Sequence, residues 1–377
     1  MSVLINMLKA CSGVFTMGSP LTFMDVFTKT GTLVIFAVFE IFAQIYQIDE
    51  DTSCSFVKSE VFKNIPENIL FEMCDEYHKI KLVYNTYWQI YPNQHYEHVN
   101  INSFGFRGSE ISMEKPADTF RIFVVGGSTT FGSAATSDDN TMPGYLQKNF
   151  DMIDLGLNVE VINAGSVGAY SKTEAPFVKD VLFDFDPDLI IVFDGWNDVW
   201  ISYTSHIDER GAEGQLYDVV RDLHDIMPYY KTPFVIRDIA MKNKNTFSGI
   251  WDETNLDKKI SLWKERWDDA CISAEQKNIK MFVMIQPILG TGDRTITEFE
   301  KPNLSADEDF FLVPIALQKY VDVLQELTNC TYKADLTHTF DNHNQTIFFD
   351  RGHVGDEGNM IIAEEIYKLV LPVIQKS

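Results

Sequence analysis

Phe120-Arg121-Ile122-Phe123-Val124-Val125 is a short run, apolar save for Arg121, and it ends on Gly126-Gly127-Ser128-Thr129. Runs of this length, rich in Val, Ile and Phe, are how parallel strands buried on both faces read. Three more follow, Val159–Asn163, Leu189–Asp194 and Lys280–Gln286. Around and between them the apolar spacing predicts helices over Thr141–Asp151, Lys172–Phe183, Asp257–Lys277, Asp309–Leu327 and Glu357–Leu371, the last closed by Pro372. Strand–helix alternation implies an α/β fold, a three-layer α/β/α sandwich around a parallel central sheet. In such sheets reactive groups gather beyond the carboxyl ends of the strands.

The chain has 377 residues, enough for one large α/β unit with appendages. Its formal net charge is −24, which excludes nucleic acid as an expected partner because phosphate binding needs concentrated Lys and Arg. The same charge disfavours docking on an anionic membrane surface and promotes solubility.

Residues 1–30 show no clear period. The segment 31–48, containing Gly31-Thr-Leu-Val-Ile-Phe-Ala-Val-Phe-Glu40, is the most apolar long stretch and is expected to anchor the chain as a single transmembrane helix. Glu40 and Gln44 weigh against that span, and a buried soluble helix is the alternative. Lys9 and Lys29 precede the run while Asp49, Glu50 and Asp51 follow it, which places the rest of the chain outside the cytoplasm. Residues 49–100 read as a polar and aromatic connector, and 101–377 as the main α/β unit. Two insertions interrupt it, at about 199–256 and 289–309; they are the candidates for a lid or substrate wall, the former holding Tyr203, Tyr217, Tyr229, Tyr230 and Phe234.

Cys54 with Cys74, and Cys271 with Cys330, are disulfide candidates if the domain is extracytoplasmic; buried free thiols are the alternative for each pair. Asn303, Asn329 and Asn344 head sequons compatible with export.

Four short blocks carry the chemistry. Ser128, after two glycines at a strand end, is the candidate nucleophile. Neither a phosphate loop nor the G-x-S-x-G elbow fits here: no Lys follows, and the glycines are wrongly spaced. His353 is the candidate base, and Asp350, three residues earlier, is placed to orient its ring. Asn163-Ala164-Gly165 and Gly195-Trp196-Asn197-Asp198 follow the next two strands. Gly165 through its N–H, Asn197 through its amide and Ser128 through its own N–H are the candidate oxyanion donors. Asn163 and Asp198 are expected to brace their loops. His95-x-x-His98 lacks a third ligand in sequence and reads as an ordinary loop pair, as do His338 and His343. Residues 102–108 read as a hairpin leading into the first strand, with Arg107 near the site.

At these blocks the chain resembles the SGNH hydrolase superfamily, or GDSL-type esterases and lipases, over roughly residues 100–372. The four name-giving residues fall on Ser128, Gly165, Asn197 and His353. Where the family name implies Gly-Asp-Ser-Leu, this chain has Gly-Gly-Ser-Thr. The resemblance implies a flavodoxin-like sandwich and a carboxylic ester hydrolase that needs neither metal nor cofactor. An outward-facing site suggests surface glycan or lipid esters as substrates. Two other readings stay open: an O-acyltransferase on the same site, and a non-catalytic glycan-binding domain. Neither the acyl chain nor the oligomeric state is legible.

Overall fold

The computed structural model describes residues 56–83, 87, 89–200, 253–305 and 312–376, together with Val38 and Glu40. Five parallel strands form the central sheet: β1 (Thr119–Gly126), β2 (Asn158–Asn163), β3 (Leu189–Asp194), β4 (Lys280–Ile285) and β5 (Tyr332–Asp335). Their spatial order is β2-β1-β3-β4-β5. The expected strands lie within a residue of those observed. The fifth was not expected; it is a half-buried edge strand, Tyr-Lys-Ala-Asp, with no apolar run to announce it.

The helices are α1 (Glu67–Lys79), α2 (Ser128–Phe131), α3 (Met142–Asp151), α4 (Ser171–Asp180), α5 (Trp196–Trp200), α6 (Glu253–Glu275), α7 (Lys301–Ser305), α8 (Val313–Leu324) and α9 (Asp356–Ile374). The chain runs β1-α3-β2 toward one sheet edge and then returns past β1 to β3. Right-handed crossovers therefore put α3 on one face and α4, α6 and α8 on the other. The packing follows: α9 lies against α3, while α6 lies against both α4 and α8. Both faces of β1 and β3 are covered, so every residue of β3 is buried. The core runs continuously through these layers, with Trp263, Trp267 and Tyr320 fully enclosed.

Two expectations change, and one open choice is decided. Pro372 does not close the last helix, which continues to Ile374; a proline this close to the end costs one internal hydrogen bond and leaves the last turn intact. Of the two readings left open for Cys271 and Cys330, the structure has the disulfide. Cys74 is also disulfide-bonded, its partner lying outside the described residues. The stretch read as a connector is folded onto the α/β unit from residue 56. Phe56, Phe62, Leu70, Met73 and Cys74 bury against Ala134 and Phe349.

The run 31–48 lies outside the described residues apart from Val38 and Glu40, as does most of the 199–256 insertion. Among the described residues no helix is long and apolar enough to cross a membrane.

Candidate active site

In this strand order the chain reverses direction beside β1, which opens a crevice beyond the ends of β1 and β3. Ser128 follows β1 by two residues and opens α2, and Asn197 follows β3 on α5. Gly127 lets these two turns meet: a β-carbon on it would lie 2.4 Å from Asn197 Nδ2. Gly165 serves the same end after β2, where a β-carbon would lie 2.3 Å from the Phe131 nitrogen. The loop after β2 thus rests on the backbone of α2.

His353 arrives from the loop before α9, far along the chain. Its Nε2 is 2.7 Å from Ser128 Oγ. Its Nδ1 is 2.7 Å from Asp350 Oδ2. The other carboxylate oxygen of Asp350 accepts the N–H groups of Gly352 and His353, each at 2.8 Å. Because a carboxylate only accepts, Nδ1 carries the ring proton and Nε2 faces the serine as an acceptor. Burial pushes the His353 ring toward the neutral form, but the charge and hydrogen bond of Asp350 win and hold its pKa above the ordinary value. Burial also works against ionised Asp350, and the His353 ring with the two backbone donors keeps that carboxyl below the usual range. Phe349 stacks on the His353 ring at 5.7 Å between centroids.

The candidate oxyanion donors stand in different hydrogen-bonding states. Ser128 is the first residue of α2, so its N–H has no acceptor within the turn. Asn197 Nδ2 donates to Ala169 O at 2.7 Å, which uses one of its two hydrogens. The Gly165 N–H donates to Asn163 Oδ1 at 3.0 Å. Asn163 also donates to Phe131 O, tying its loop to α2. Asp198 accepts from the Ser171 N–H at 3.0 Å and fixes α5 against α4. Behind this loop, burial followed by the charges of Asp194 and Asp198 raises Glu174 well above the carboxylate range.

Further residues support these loops from behind. Arg107 does not reach the site mouth. It is buried behind α2, where it donates to Phe131 O at 3.0 Å, Gly132 O at 2.8 Å and Asp138 at 2.8 Å. Gln286 accepts from Thr129, beside Ser128, at 3.1 Å. The described part of the 289–309 insertion packs under the loop that carries Asp350 and His353. There Glu300 is fully buried, pairs with Arg294 at 2.6 Å and accepts the N–H groups of Ile347 and Phe348 at 3.0 and 3.1 Å. Asn303, at the head of one sequon, donates to Phe349 O. Arg294 and Glu300 stand in no periodic pattern, so only their pairing reveals them.

No family model matches the chain, and no curated protein matches it. Among solved structures it is similar to a protein described as lipolytic, of the G-D-S-L family, from Desulfitobacterium hafniense DCB-2. The identity is 13%, over 66% of this chain and 98% of that one, with a TM-score of 0.37. It is also similar to the acetyl xylan esterase AlAXEase, at 18% identity, over 67% of this chain and 100% of that one, with a TM-score of 0.38. A third is a catalytic mutant of Axe2, an acetylxylan esterase from Geobacillus stearothermophilus, at 14% identity, over 66% of this chain and 93% of that one, with a TM-score of 0.39.

Proposed function

We propose that this chain is a serine ester hydrolase that removes acyl groups from oxygen esters through a Ser128 acyl-enzyme. One observation carries the reading: the unbroken chain Ser128 Oγ–His353–Asp350, with both links at 2.7 Å. Ser128 Oγ attacks the ester carbonyl carbon and its proton passes to His353 Nε2. Asp350 stabilises the imidazolium through Nδ1–H. The carbonyl oxygen becomes an oxyanion, met by the Ser128 N–H and the remaining hydrogen of Asn197 Nδ2. The Gly165 N–H joins them by exchanging its neutral Asn163 acceptor for a charged one, since bonds to ionised acceptors are the stronger. Collapse expels the alcohol, which takes the proton back from His353. Water then repeats the sequence on the acyl-enzyme and releases the acid.

The deciding experiment is Ser128→Ala. It abolishes ester hydrolysis and labelling by a fluorophosphonate while the circular dichroism spectrum stays native. Labelling of the variant at the wild-type rate would place the nucleophile elsewhere.

The proposal extends to location. The chain is held by a helix over 31–48 with the catalytic unit extracytoplasmic, acting on acylated surface glycans or lipids. Support comes from the Lys-before, acid-after asymmetry around the run and from the Cys271–Cys330 disulfide, which suits an oxidising compartment. The full chain then stays with membranes through carbonate extraction, and protease added outside intact cells reaches the catalytic unit. Recovery of the full chain in the soluble cytoplasmic fraction would overturn it, leaving the esterase assignment untouched.

A further inference from the structure

We propose that Glu72, Glu76 and His98 form a site for one divalent transition-metal ion of the zinc kind, at the seam where the N-terminal segment docks on the catalytic unit. Candidate ligand atoms of the three residues lie within 4.8 Å of one another. Glu72 and Glu76 are one helical turn apart on α1 and so share a face. Glu76 is buried, and its two oxygens accept the N–H groups of Glu97 and His98, each at 2.9 Å. These bonds fix the carboxylate and leave each oxygen a further lone pair.

His98 supplies the independent observation. Its Nδ1 lies 2.9 Å from the carbonyl oxygen of Thr136, which can only accept, so Nδ1 carries the ring proton. Nε2 is therefore the atom with a lone pair to offer. It is shielded from solvent and has no hydrogen-bond partner, an expensive state for a buried polar atom. A ring whose second nitrogen is held by a backbone carbonyl is oriented as metal-binding histidines are. In tetrahedral coordination, bonds of about 2.0–2.2 Å from one ion bridge donor atoms about 3.3–3.6 Å apart. Glu72 is exposed and can swing inward to close the remaining gap. One imidazole nitrogen with two carboxylates favours a transition ion over Ca²⁺ or Mg²⁺, which take oxygen ligands. Two negative charges are neutralised by one dication.

A second cluster, Asp293, His338 and Asp341, is a weaker claimant. His338 is exposed and its Nδ1 is already committed to Asp341 at 2.8 Å. The proposed ion would brace the fold rather than enter the chemistry. His98 O accepts from Arg107 at 3.0 Å, and Arg107 in turn holds the carbonyls at the end of α2.

The test uses the full chain, stripped with a chelator and dialysed, then titrated with zinc chloride by calorimetry and by thermal unfolding. One Zn²⁺ per chain should bind saturably and raise Tm, while Mg²⁺ at the same concentration should not. Glu72→Gln, at an exposed position that leaves folding intact, should weaken binding by about tenfold or more. His98→Gln should abolish the rise in Tm. The proposal is overturned if the wild type shows no saturable binding, or if Mg²⁺ matches Zn²⁺. It is equally overturned if Glu72→Gln binds as the wild type does, or if binding is lost in His338→Gln and kept in His98→Gln.

Discussion

Asp350→Asn tests the proposed chemistry at a point where the geometry dictates the outcome. One oxygen of Asp350 accepts two backbone N–H groups, and the other accepts Nδ1–H of His353. An asparagine keeps both backbone bonds only by turning its NH₂ toward the ring. Two donors then face each other unless His353 moves its proton from Nδ1 to Nε2. In that tautomer Nε2 presents a hydrogen to Ser128 and can no longer act as base. The opposite amide orientation preserves the productive tautomer but forfeits two backbone bonds. At about 1 kcal/mol net for each, the unproductive form is favoured by about 2 kcal/mol. Loss of the charged partner to the imidazolium adds about 1.5–3 kcal/mol. Together these lower kcat by about 10³-fold, each 1.36 kcal/mol being tenfold. The pH profile moves as well. In the wild type Asp350 holds the His353 pKa above its ordinary value, so activity rises only once the pH passes that raised value. Without the carboxylate, burial becomes the leading influence and favours the neutral ring, so the acid limb moves to lower pH. The assay is kcat on a small aryl acetate between pH 5 and 9 (about four units around the ordinary histidine value). A variant within tenfold of wild type, with its acid limb in place, would refute the reasoning.

Asn197→Ala should lower kcat by about 10²–10³-fold with a smaller change in KM, because the bond to the oxyanion tightens in the transition state; an unchanged kcat under chemistry-limited conditions removes Asn197 from the site. Glu300→Ala leaves Arg294 buried without its carboxylate and should cost about 3–5 kcal/mol in denaturant unfolding, with activity falling as the Asp350 loop loosens; a midpoint equal to wild type counts against the buttress. Replacing both Cys271 and Cys330 with alanine opens a link spanning 59 residues and should cost about 4 kcal/mol of stability. Reducing agent should then have a smaller effect on the double variant than on the wild type. Deleting residues 1–50 should leave a soluble, active protein, since the continuous described stretch begins at Phe56 and the candidate site lies beyond residue 120; an inactive but folded product would show that the deleted segment serves the site.

The local patterns were sufficient for much of this molecule. Strands β1, β3 and β4 are buried along nearly their whole length, and a strand covered on both faces is apolar at almost every residue, which is a signal carried within six or eight positions. The Asp350–His353 pair was legible for the same reason: both residues sit on one short loop, and three positions of spacing suffice for contact. Helix α1 was legible too, though it was read as connector: Leu70, Met73, Cys74 and Tyr77 recur at helical spacing. Strand β5 was not, since a half-buried edge strand has no need of an apolar run. What tertiary structure alone decided are the pairings across distance. Ser128 meets His353 across 225 residues, Glu300 meets Ile347 across 47, and His98 faces two glutamates on a helix read as linker. Periodicity reports which face of an element is buried, not which partner covers it. The strand order, the acceptor that occupies the Gly165 N–H and the buried pairing of Arg294 with Glu300 all depend on partners, and so they exist only once the chain has folded.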